Sequence, residues 1–177
     1  MRAAQCLQQG RLLAHSTSTV AGIAANPTHP QAIQRLRRFK QRQGPFVLLA
    51  ASKKVVFQQC RYITRPLRTM LRHYLNTSVT LILPAKGKRS SACQKKGHIA
   101  IRLDNKLETR RLAKQCGGLL LSSSLNRRGQ ATLALQRSTR MRLSRHIASI
   151  LTQYEAHTPQ QASKIYTLSK RGIQRLR

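Results

Sequence analysis

The chain has 177 residues, of which 34 are lysine or arginine and only 3 are acidic, so its formal net charge is +31. Hydrophobic residues make up 40% of the chain, which excludes a disordered basic tail and predicts a folded domain with a buried core. No apolar run is long enough for a membrane span or a secretory signal, so no membrane association is expected. A charge of this size favours a polyanion, and above all nucleic acid, as the partner.

The aromatic content narrows the kind of nucleic acid. The chain holds four tyrosines, three phenylalanines and no tryptophan, too few for a platform on which single-stranded bases stack. Contact with the backbone and shape of structured RNA fits this composition better. A compositional pressure on the whole source genome would explain the scarcity of acidic residues equally well.

The cysteines and histidines are spaced too widely to signal a metal site, a disulfide framework or a histidine-based catalytic site. We expect the cysteines to be small buried hydrophobic residues in a reducing compartment. They are Cys6, Cys60, Cys93 and Cys116. The first twenty residues contain arginine and serine but no acid, as a mitochondrial presequence does, so a mitochondrial location stays open beside a cytoplasmic one.

Apolar periodicity and Gly/Pro punctuation predict helices that alternate with strands. In chain order, helices are predicted over residues 3–9, from Pro30 to before Gly44, over 53–60, from Thr64 through Tyr74, over 107–116, and as a long amphipathic helix from about Arg137 through Leu151. Strands are predicted over residues 11–14, 46–51, 78–83, 98–103, from Leu119, and over 163–168, with a basic exposed loop at 85–97.

This alternation predicts a single α/β domain, with a core at about 3–153 and a basic C-terminal segment at 156–177. Ligands of such sheets bind at the carboxyl ends of strands, where two hydroxyl-rich loops are predicted, at 15–22 and 122–130. The second loop combines serines with Asn126, Arg127, Arg128 and Gly129, and such groups can surround an anion. An ordinary solvated loop is the alternative, and on this stretch alone it is favoured.

Five segments, in order, carry motifs of a known family. Residues 14–24 read Ala-His-Ser-Thr-Ser-Thr-Val-Ala-Gly-Ile-Ala, and the next helix is followed by Lys40-Gln41-Arg42. The others are Ser-Val-Thr-Leu-Ile-Leu-Pro at 78–84, Ile-Ala-Ile-Arg at 99–102, and Ser-Ser-Ser-Leu-Asn-Arg-Arg-Gly at 122–129. Together they resemble the YrdC/TsaC family of threonylcarbamoyl-AMP synthases along almost the whole chain. The resemblance implies a YrdC-like domain with a twisted mixed sheet, flanking helices and a concave basic face.

The resemblance also implies a reaction and its participants. L-threonine, bicarbonate and ATP, the last with Mg²⁺, give threonylcarbamoyl-adenylate and pyrophosphate, and the product serves the modification of adenosine beside the anticodon of tRNA. RNA or proteins of the tRNA-modification complex are therefore the implied partners.

Residue roles follow from the motif matches. Lys40 and Arg42 are the implied catalytic residues and phosphate ligands. The remaining nucleotide-binding candidates are Thr80, Ser122, Ser124 and Asn126. The threonine-binding candidates are Thr17, Thr19, Arg102 and Ser163. No protein side chain is expected to bind a metal.

The chain departs from the family pattern at several places. The family's Trp-Pro-Gly-Pro is Leu-Asn-Thr-Ser at 75–78, its Pro-Thr-Glu-Thr is Ser-Thr-Ser-Thr at 16–19, and residues 103–105 lack a proline. These changes remove groups that preorganise the pocket, so a catalytically weakened YrdC-like protein that binds structured RNA or the ribosome is the alternative. A mitochondrial ribosomal or RNA-packaging protein with a fortuitous similarity is a third reading.

Overall fold

A computed structural model describes residues 3–73, 79–151, 161–169 and 172–176. Its helices are α1 (Ala3–Gln8), α2 (Pro30–Lys40), α3 (Lys53–Gln59), α4 (Arg65–His73), α5 (Leu107–Gln115) and α6 (Arg137–Arg142). Its strands are β1 (Leu13–His15), β2 (Gly22–Ala25), β3 (Val47–Ala50), β4 (Val79–Pro84), β5 (Gln94–Lys95), β6 (His98–Leu103), β7 (Leu119–Ser124), β8 (Ser149–Leu151), β9 (Lys164–Ser169) and β10 (Gly172–Arg175).

The strands form one mixed sheet in the order β10-β9-β4-β6-β3-β7-β2-β1-β8, with β5 paired to β6 outside this path. Three pairs are parallel, namely β1 with β8, β3 with β6 and β4 with β9, and the other pairs are antiparallel. The mixed sheet and its flanking helices confirm the predicted α/β class.

Side chains of the central strands alternate between two hydrophobic clusters, one on each face of the sheet. In β7, Leu119 and Leu121 belong to the larger cluster and Leu120 to the smaller one. Helices α2, α3 and α4 supply the larger cluster with Leu36, Val56 and Leu67, among others. The smaller cluster contains Leu7 of α1 and Leu112 of α5. Burial on both faces explains why these strands read as continuous apolar runs.

The end of α2 places two of the predicted site residues. Pro30 occupies the first turn of the helix, as predicted, because its missing N–H costs nothing there. Gln41 ends the helix in the left-handed conformation with φ 51°, and its N–H points to the carbonyls of Arg37 and Arg38. The helix therefore ends between Lys40 and Arg42. The predicted cap of α3 is confirmed, since the Ser52 hydroxyl accepts the Val55 N–H at 3.3 Å.

The predicted long helix from Arg137 through Leu151 is wrong. The helix ends at Arg142, and residues 149–151 form β8, which pairs with β1 in the register Leu13↔Ser149. Leu143 and Ile147 are buried, so the apolar spacing does mark buried positions. A turn can bury such residues as well as a helix can. Pairing with β1 decides the outcome, because it supplies backbone partners to an otherwise open edge.

Besides β8, three strands were not predicted. Short β5 lies within the predicted loop at 85–97, β10 follows β9, and β2 follows the first hydroxyl-rich loop. The small residues of β2 carry little strand propensity, and its position between β1 and β7 is a tertiary effect. Because β9 pairs with β4, part of the C-terminal segment belongs to the sheet. Predictions for Tyr74 and for the segment 75–78 lie outside the described residues.

Candidate active site

A polar cleft of about 530 Å³ crosses the sheet between the loop before β2 and the residues before β9. We call it the polar cleft. Eight of the ten predicted site residues line it: Thr17, Thr19, Arg42, Thr80, Arg102, Ser122, Ser124 and Ser163. The other two, Lys40 and Asn126, do not line it, but each contacts Ser124. The fold therefore brings together residues that are up to 146 positions apart in the sequence, from Thr17 to Ser163.

Lys40 holds the loop that follows β7. Its ammonium group donates to the carbonyl of Ser124 at 2.8 Å, to the side-chain oxygen of Asn126 at 2.6 Å and to the carbonyl of Asn126. The Ser124 hydroxyl donates to the same Asn126 oxygen at 2.6 Å. Lys40 is only 4% exposed, and burial, with Arg42 nearby, lowers its pKa from 10.5 to about 8. Its charge therefore shapes the loop from behind and does not project into the cleft.

Arg42 presents its guanidinium group to the cleft. The group lies 4.7 Å from the centre of the Phe46 ring, and its Nη2 is 3.5 Å from the Ser123 hydroxyl. The ring supports one face of the guanidinium plane, which leaves edge N–H donors for a ligand. Planar donors of this kind suit phosphate oxygens. Of the two residues in the Lys-x-Arg motif, Arg42 is thus the one placed to contact an anion directly.

Arg102 and two threonine hydroxyls form a buried chain at another part of the cleft. Arg102 Nη1 donates to the Thr19 hydroxyl at 2.7 Å, and the hydroxyls of Thr19 and Thr17 are 2.9 Å apart. Thr17 donates its single proton to the carbonyl of Val20 at 2.8 Å, so Thr19 must donate to Thr17. Both hydroxyl protons are used within the loop, which leaves Arg102 as the group with spare donors.

Asp104 is a site residue that the sequence reasoning missed. Its carboxylate is 1% exposed, lies 3.6 Å from Arg102 Nε, and accepts the Ser18 hydroxyl at 3.0 Å and the Ser18 N–H at 3.1 Å. It also accepts the Lys106 N–H at 3.0 Å. Burial lowers the pKa of Arg102, and Asp104 opposes that shift. Asp104 therefore fixes both Arg102 and the 17–19 loop. A signal was available in the sequence, because one of only three acidic residues in the chain stands two positions after the predicted site residue Arg102.

His15 is a second missed residue. It is 1% exposed, and its Nε2 lies 3.2 Å from the hydroxyl of Ser122, which lines the cleft. A Cβ atom at Gly22 would lie 2.9 Å from that nitrogen and 3.1 Å from the Ser122 hydroxyl, so the contact needs a glycine there. Burial lowers the pKa of His15 from 6.5 to about 4, although Asp104 opposes the shift, and the ring is therefore neutral at pH 7. The two residues are 107 positions apart, a distance that sequence patterns do not bridge.

The burial of His15 predicts acid-sensitive stability. Because its pKa is about 4 in the folded chain and about 6.5 when unfolded, the unfolded state binds the extra proton as the pH falls between these values. Between pH 7 and pH 4, we expect the free energy of unfolding of the wild type to fall by about 3 kcal/mol more than that of His15→Gln, since one pKa unit corresponds to about 1.4 kcal/mol. Urea unfolding at the two pH values measures this difference. His98→Gln, which removes an exposed histidine, is the control and should behave as the wild type. If acid lowers the free energy of unfolding equally in all three proteins, His15 is not a neutral, buried residue.

Thr80 and Ser163 meet at the far side of the cleft. Their hydroxyl oxygens are 2.8 Å apart, because β4 and β9 are parallel neighbours in the register Thr80↔Ile165. This contact brings Ser163 to the same surface as Thr80 and Arg102.

No group of three or more metal-binding side chains occurs within the described residues. The four cysteines are free and buried, as predicted, and burial raises the pKa of Cys60 and of Cys116 to about 11. Thiols of this kind act as apolar packing groups. None of the described helices is long and apolar enough to cross a membrane.

Comparison with known proteins places the chain among relatives. The sequence profile of the Sua5/YciO/YrdC family, described as telomere recombination, matches residues 5–177. The chain belongs to this family. The resemblance deduced from the five motifs is thereby confirmed. A curated relative from Chromobacterium violaceum, named threonylcarbamoyl-AMP synthase, is 32% identical over 147 residues, which cover 79% of this chain and 74% of that protein. A relative of the same name from Photobacterium profundum is 29% identical over 154 residues, covering 82% of this chain and 81% of that protein.

Solved structures of the family share the fold. Sua5 of P. abyssi, complexed with L-threonine, matches with a TM-score of 0.85 at 20% identity, covering 99% of this chain and 52% of that one. YciO of E. coli matches with a TM-score of 0.82 at 18% identity, covering 99% of this chain and 86% of that one. The family member described here therefore spans about half the length of the P. abyssi Sua5 chain.

Proposed function

We infer that this chain is a threonylcarbamoyl-AMP synthase, a nucleotidyltransferase that makes threonylcarbamoyl-adenylate and pyrophosphate from L-threonine, bicarbonate and ATP. The observation that carries this inference is the polar cleft, in which Arg102 and Arg42 offer separate anion-binding groups within one cavity of about 530 Å³. A reaction that joins an amino acid to a nucleotide needs such a pair. The names of the curated relatives support the same activity.

Threonine would bind at Arg102. Its carboxylate can accept the N–H donors of the guanidinium group that Thr19 and Asp104 leave unused. Thr17 and Thr19 hold the loop beside it, and Ser163 with Thr80 offers hydroxyls on the opposite side. The chain binds this end of the substrate with groups already fixed by hydrogen bonds, so little ordering is left for the binding step.

The nucleotide would bind along Ser122, Ser124 and Asn126, with its phosphates toward Arg42. The threonine nitrogen first bonds to the carbon of bicarbonate, with loss of water, to give a carbamate. An oxygen of the carbamate then attacks the α-phosphorus, and the bond to the bridging oxygen breaks to release pyrophosphate. Negative charge spreads over the phosphate oxygens in this step, and cationic donors placed beforehand stabilise it. Arg42 contacts these oxygens, and Lys40 keeps the loop in place behind them.

A magnesium ion would enter with the triphosphate, bound by phosphate oxygens and water. Mg²⁺ commonly takes substrate phosphates and water as its ligands. It would neutralise phosphate charge. The product would pass to tRNA modification, so RNA or tRNA-modification proteins are the partners, and the cytoplasm, where tRNA, ATP and threonine meet, is the proposed location.

The test is threonine-dependent release of pyrophosphate. Purified protein with ATP, bicarbonate and Mg²⁺ should release pyrophosphate when L-threonine is added and should release little without it. Arg102→Gln should lower the apparent affinity for threonine by tenfold or so, since it removes the charged partner of the carboxylate. Arg68→Gln, which removes an exposed arginine of α4 that does not line the cleft, is the matched control. Pyrophosphate release that does not depend on threonine, from a folded protein, would overturn the proposed function.

A further inference from the structure

A second cleft, of about 510 Å³, lies beside α2 and shares no lining residue with the polar cleft. We call it the arginine cleft. Its charged and polar lining consists of Arg11, Arg35, Arg38, Ser144, Arg145 and His146. The family motifs described above include none of these positions, and the proposed reaction does not use them.

The walls of the arginine cleft are anchored to the sheet. Arg11 lies just before β1, and the backbone N–H of Ala148 donates to the carbonyl of Leu12 at 2.9 Å, which joins the turn after α6 to the same strand. Arg35 Nη1 donates to the carbonyl of Gly10 at 2.6 Å. The ring of His146 packs edge-on against Phe39 of α2, with centroids 5.6 Å apart. The cleft is therefore part of the fold and not an accident of flexible side chains.

No acid of the described residues lines this positively charged cleft. Within the described residues, the guanidinium groups of Arg11, Arg38 and Arg145 have no hydrogen-bond or ion-pair partner. Of the acids that the structure describes, Asp104 is buried against Arg102 and Glu108 lies in α5, and neither lines this cleft. Guanidinium groups that face one another without an acid repel, and an anion between them removes that repulsion. The lining thus selects for a negatively charged ligand.

The chemistry of the lining favours phosphates over carboxylates. Four arginines line a cleft of about 510 Å³, which is more donors than a single carboxylate can accept. Their planar donor groups match successive phosphates of a nucleic-acid backbone. The net charge of +31 adds a long-range attraction to polyanions. The chain's seven tyrosine and phenylalanine residues and lack of tryptophan disfavour base stacking and hence single strands. We propose that the arginine cleft binds the phosphate backbone of folded RNA.

The arginine cleft adjoins the candidate active site through one residue. Arg127 directly follows Asn126, whose side chain Lys40 holds, and Arg127 Nη2 lies 3.5 Å from Nε2 of His146. RNA bound in the cleft therefore lies next to the loop at 122–130. This proposal rests on the cleft's charge and not on the synthase activity, so each can fail without the other.

The test compares two double variants with the same loss of charge. Arg38→Gln with Arg145→Gln removes two guanidinium groups from the cleft, and Arg68→Gln with Arg111→Gln removes two exposed ones from α4 and α5. Binding to a folded, unmodified tRNA transcript is measured by fluorescence anisotropy at several salt concentrations. The cleft variant should bind about tenfold more weakly at physiological salt and should lower the salt slope of the binding constant by about two, since each lost phosphate contact removes about one. The control variant should match the wild type.

Three results would overturn the proposal. Equal weakening in both double variants would mean that RNA follows the overall charge and not the cleft. Competition by polyglutamate as strong as competition by a second RNA would point to an acidic protein partner. If the wild type does not bind RNA even at low salt, RNA is not a ligand of the arginine cleft. Threonine-dependent pyrophosphate release without RNA is measured in parallel, and it should stay unchanged in the cleft variant whichever result is found.

Discussion

Asp104→Asn is expected to destabilise the protein by about 3 kcal/mol or more, because it leaves the buried charge of Arg102 without its partner. Arg102 is 8% exposed and Asp104 is 1% exposed, so solvent can replace little of the lost interaction. The neutral amide keeps the shape of the side chain but loses the charge that the Ser18 and Lys106 N–H groups also contact. Urea unfolding at pH 7 measures the effect.

Glu108→Gln provides a matched control for this experiment, since it removes another of the chain's three acids with the same change in charge. Glu108 is partly exposed in the first turn of α5, where loss of a carboxylate costs less than about 1 kcal/mol. If the two variants lose the same stability, the effect comes from net charge, and the special role of Asp104 is wrong. A fraction of Asp104→Asn that stays folded should also need more threonine for half-maximal turnover, which Glu108→Gln should not.

Lys40→Met is expected to reduce turnover at least tenfold, through the loop that Lys40 holds. Methionine fills much of the same space, but it offers no donor to the carbonyls of Ser124 and Asn126 or to the Asn126 side chain. Without these bonds, Ser124 and Asn126 no longer keep one geometry, so the phosphate charge that would develop in the proposed reaction is less well stabilised. Steady-state pyrophosphate release measures kcat, and hydrogen exchange of the Leu125 and Asn126 amides measures the loop.

The pH profile separates this role from a purely structural one. The pKa of Lys40 is about 8, below its ordinary 10.5, so its ammonium form is complete below that pH and is lost as the pH rises through it. In the wild type, kcat/KM for ATP should therefore fall above about pH 8, since this constant reports groups of the free enzyme. Lys40→Met should lack that fall. Lys54→Met, which removes an exposed lysine of α3, should keep both the rate and the profile of the wild type. Full turnover in Lys40→Met would show that Lys40 does not support the reaction through this loop.

Arg42→Ala gives a different expected pattern, although it belongs to the same motif. Its guanidinium group lines the cleft, whereas Lys40 does not, and the bonds from Lys40 to the loop stay intact without it. The loss of at least tenfold in turnover should therefore come without faster amide exchange at 125 and 126. The two variants together distinguish direct phosphate contact from support of the loop.

Much of the fold could be predicted because it depends on local patterns. The central strands are buried on both faces, so they appear as short apolar runs, such as 46–51 and 119–121. Pro30 and Ser52 mark helix starts through backbone chemistry that neighbouring residues determine. The motif order then pointed to the family, and it named ten residues that the fold does gather at the polar cleft.

The failures share a physical cause, which is that the missing partner lies far away in the sequence. The pattern of Leu143, Ile147 and Ile150 fits a helix, yet pairing with β1 turns its last part into a strand. His15 and Ser122 meet across 107 residues, and Ser18 meets Asp104 across 86. The arginine cleft likewise joins residues at 11, 35–38 and 144–148.

The sequence by itself determined the alternation of helices and strands, the excess of positive charge and the order of the motifs, since each depends on residue type and short spacing. Only the tertiary structure decided which charges are compensated. Folding buries Arg102 against Asp104 and turns Lys40 into the support of a loop, whereas Arg42, Arg38 and Arg145 stay available to ligands. The reason is that the cost of burying a charge, and the partners that offset it, depend on distances in space that a linear chain does not contain.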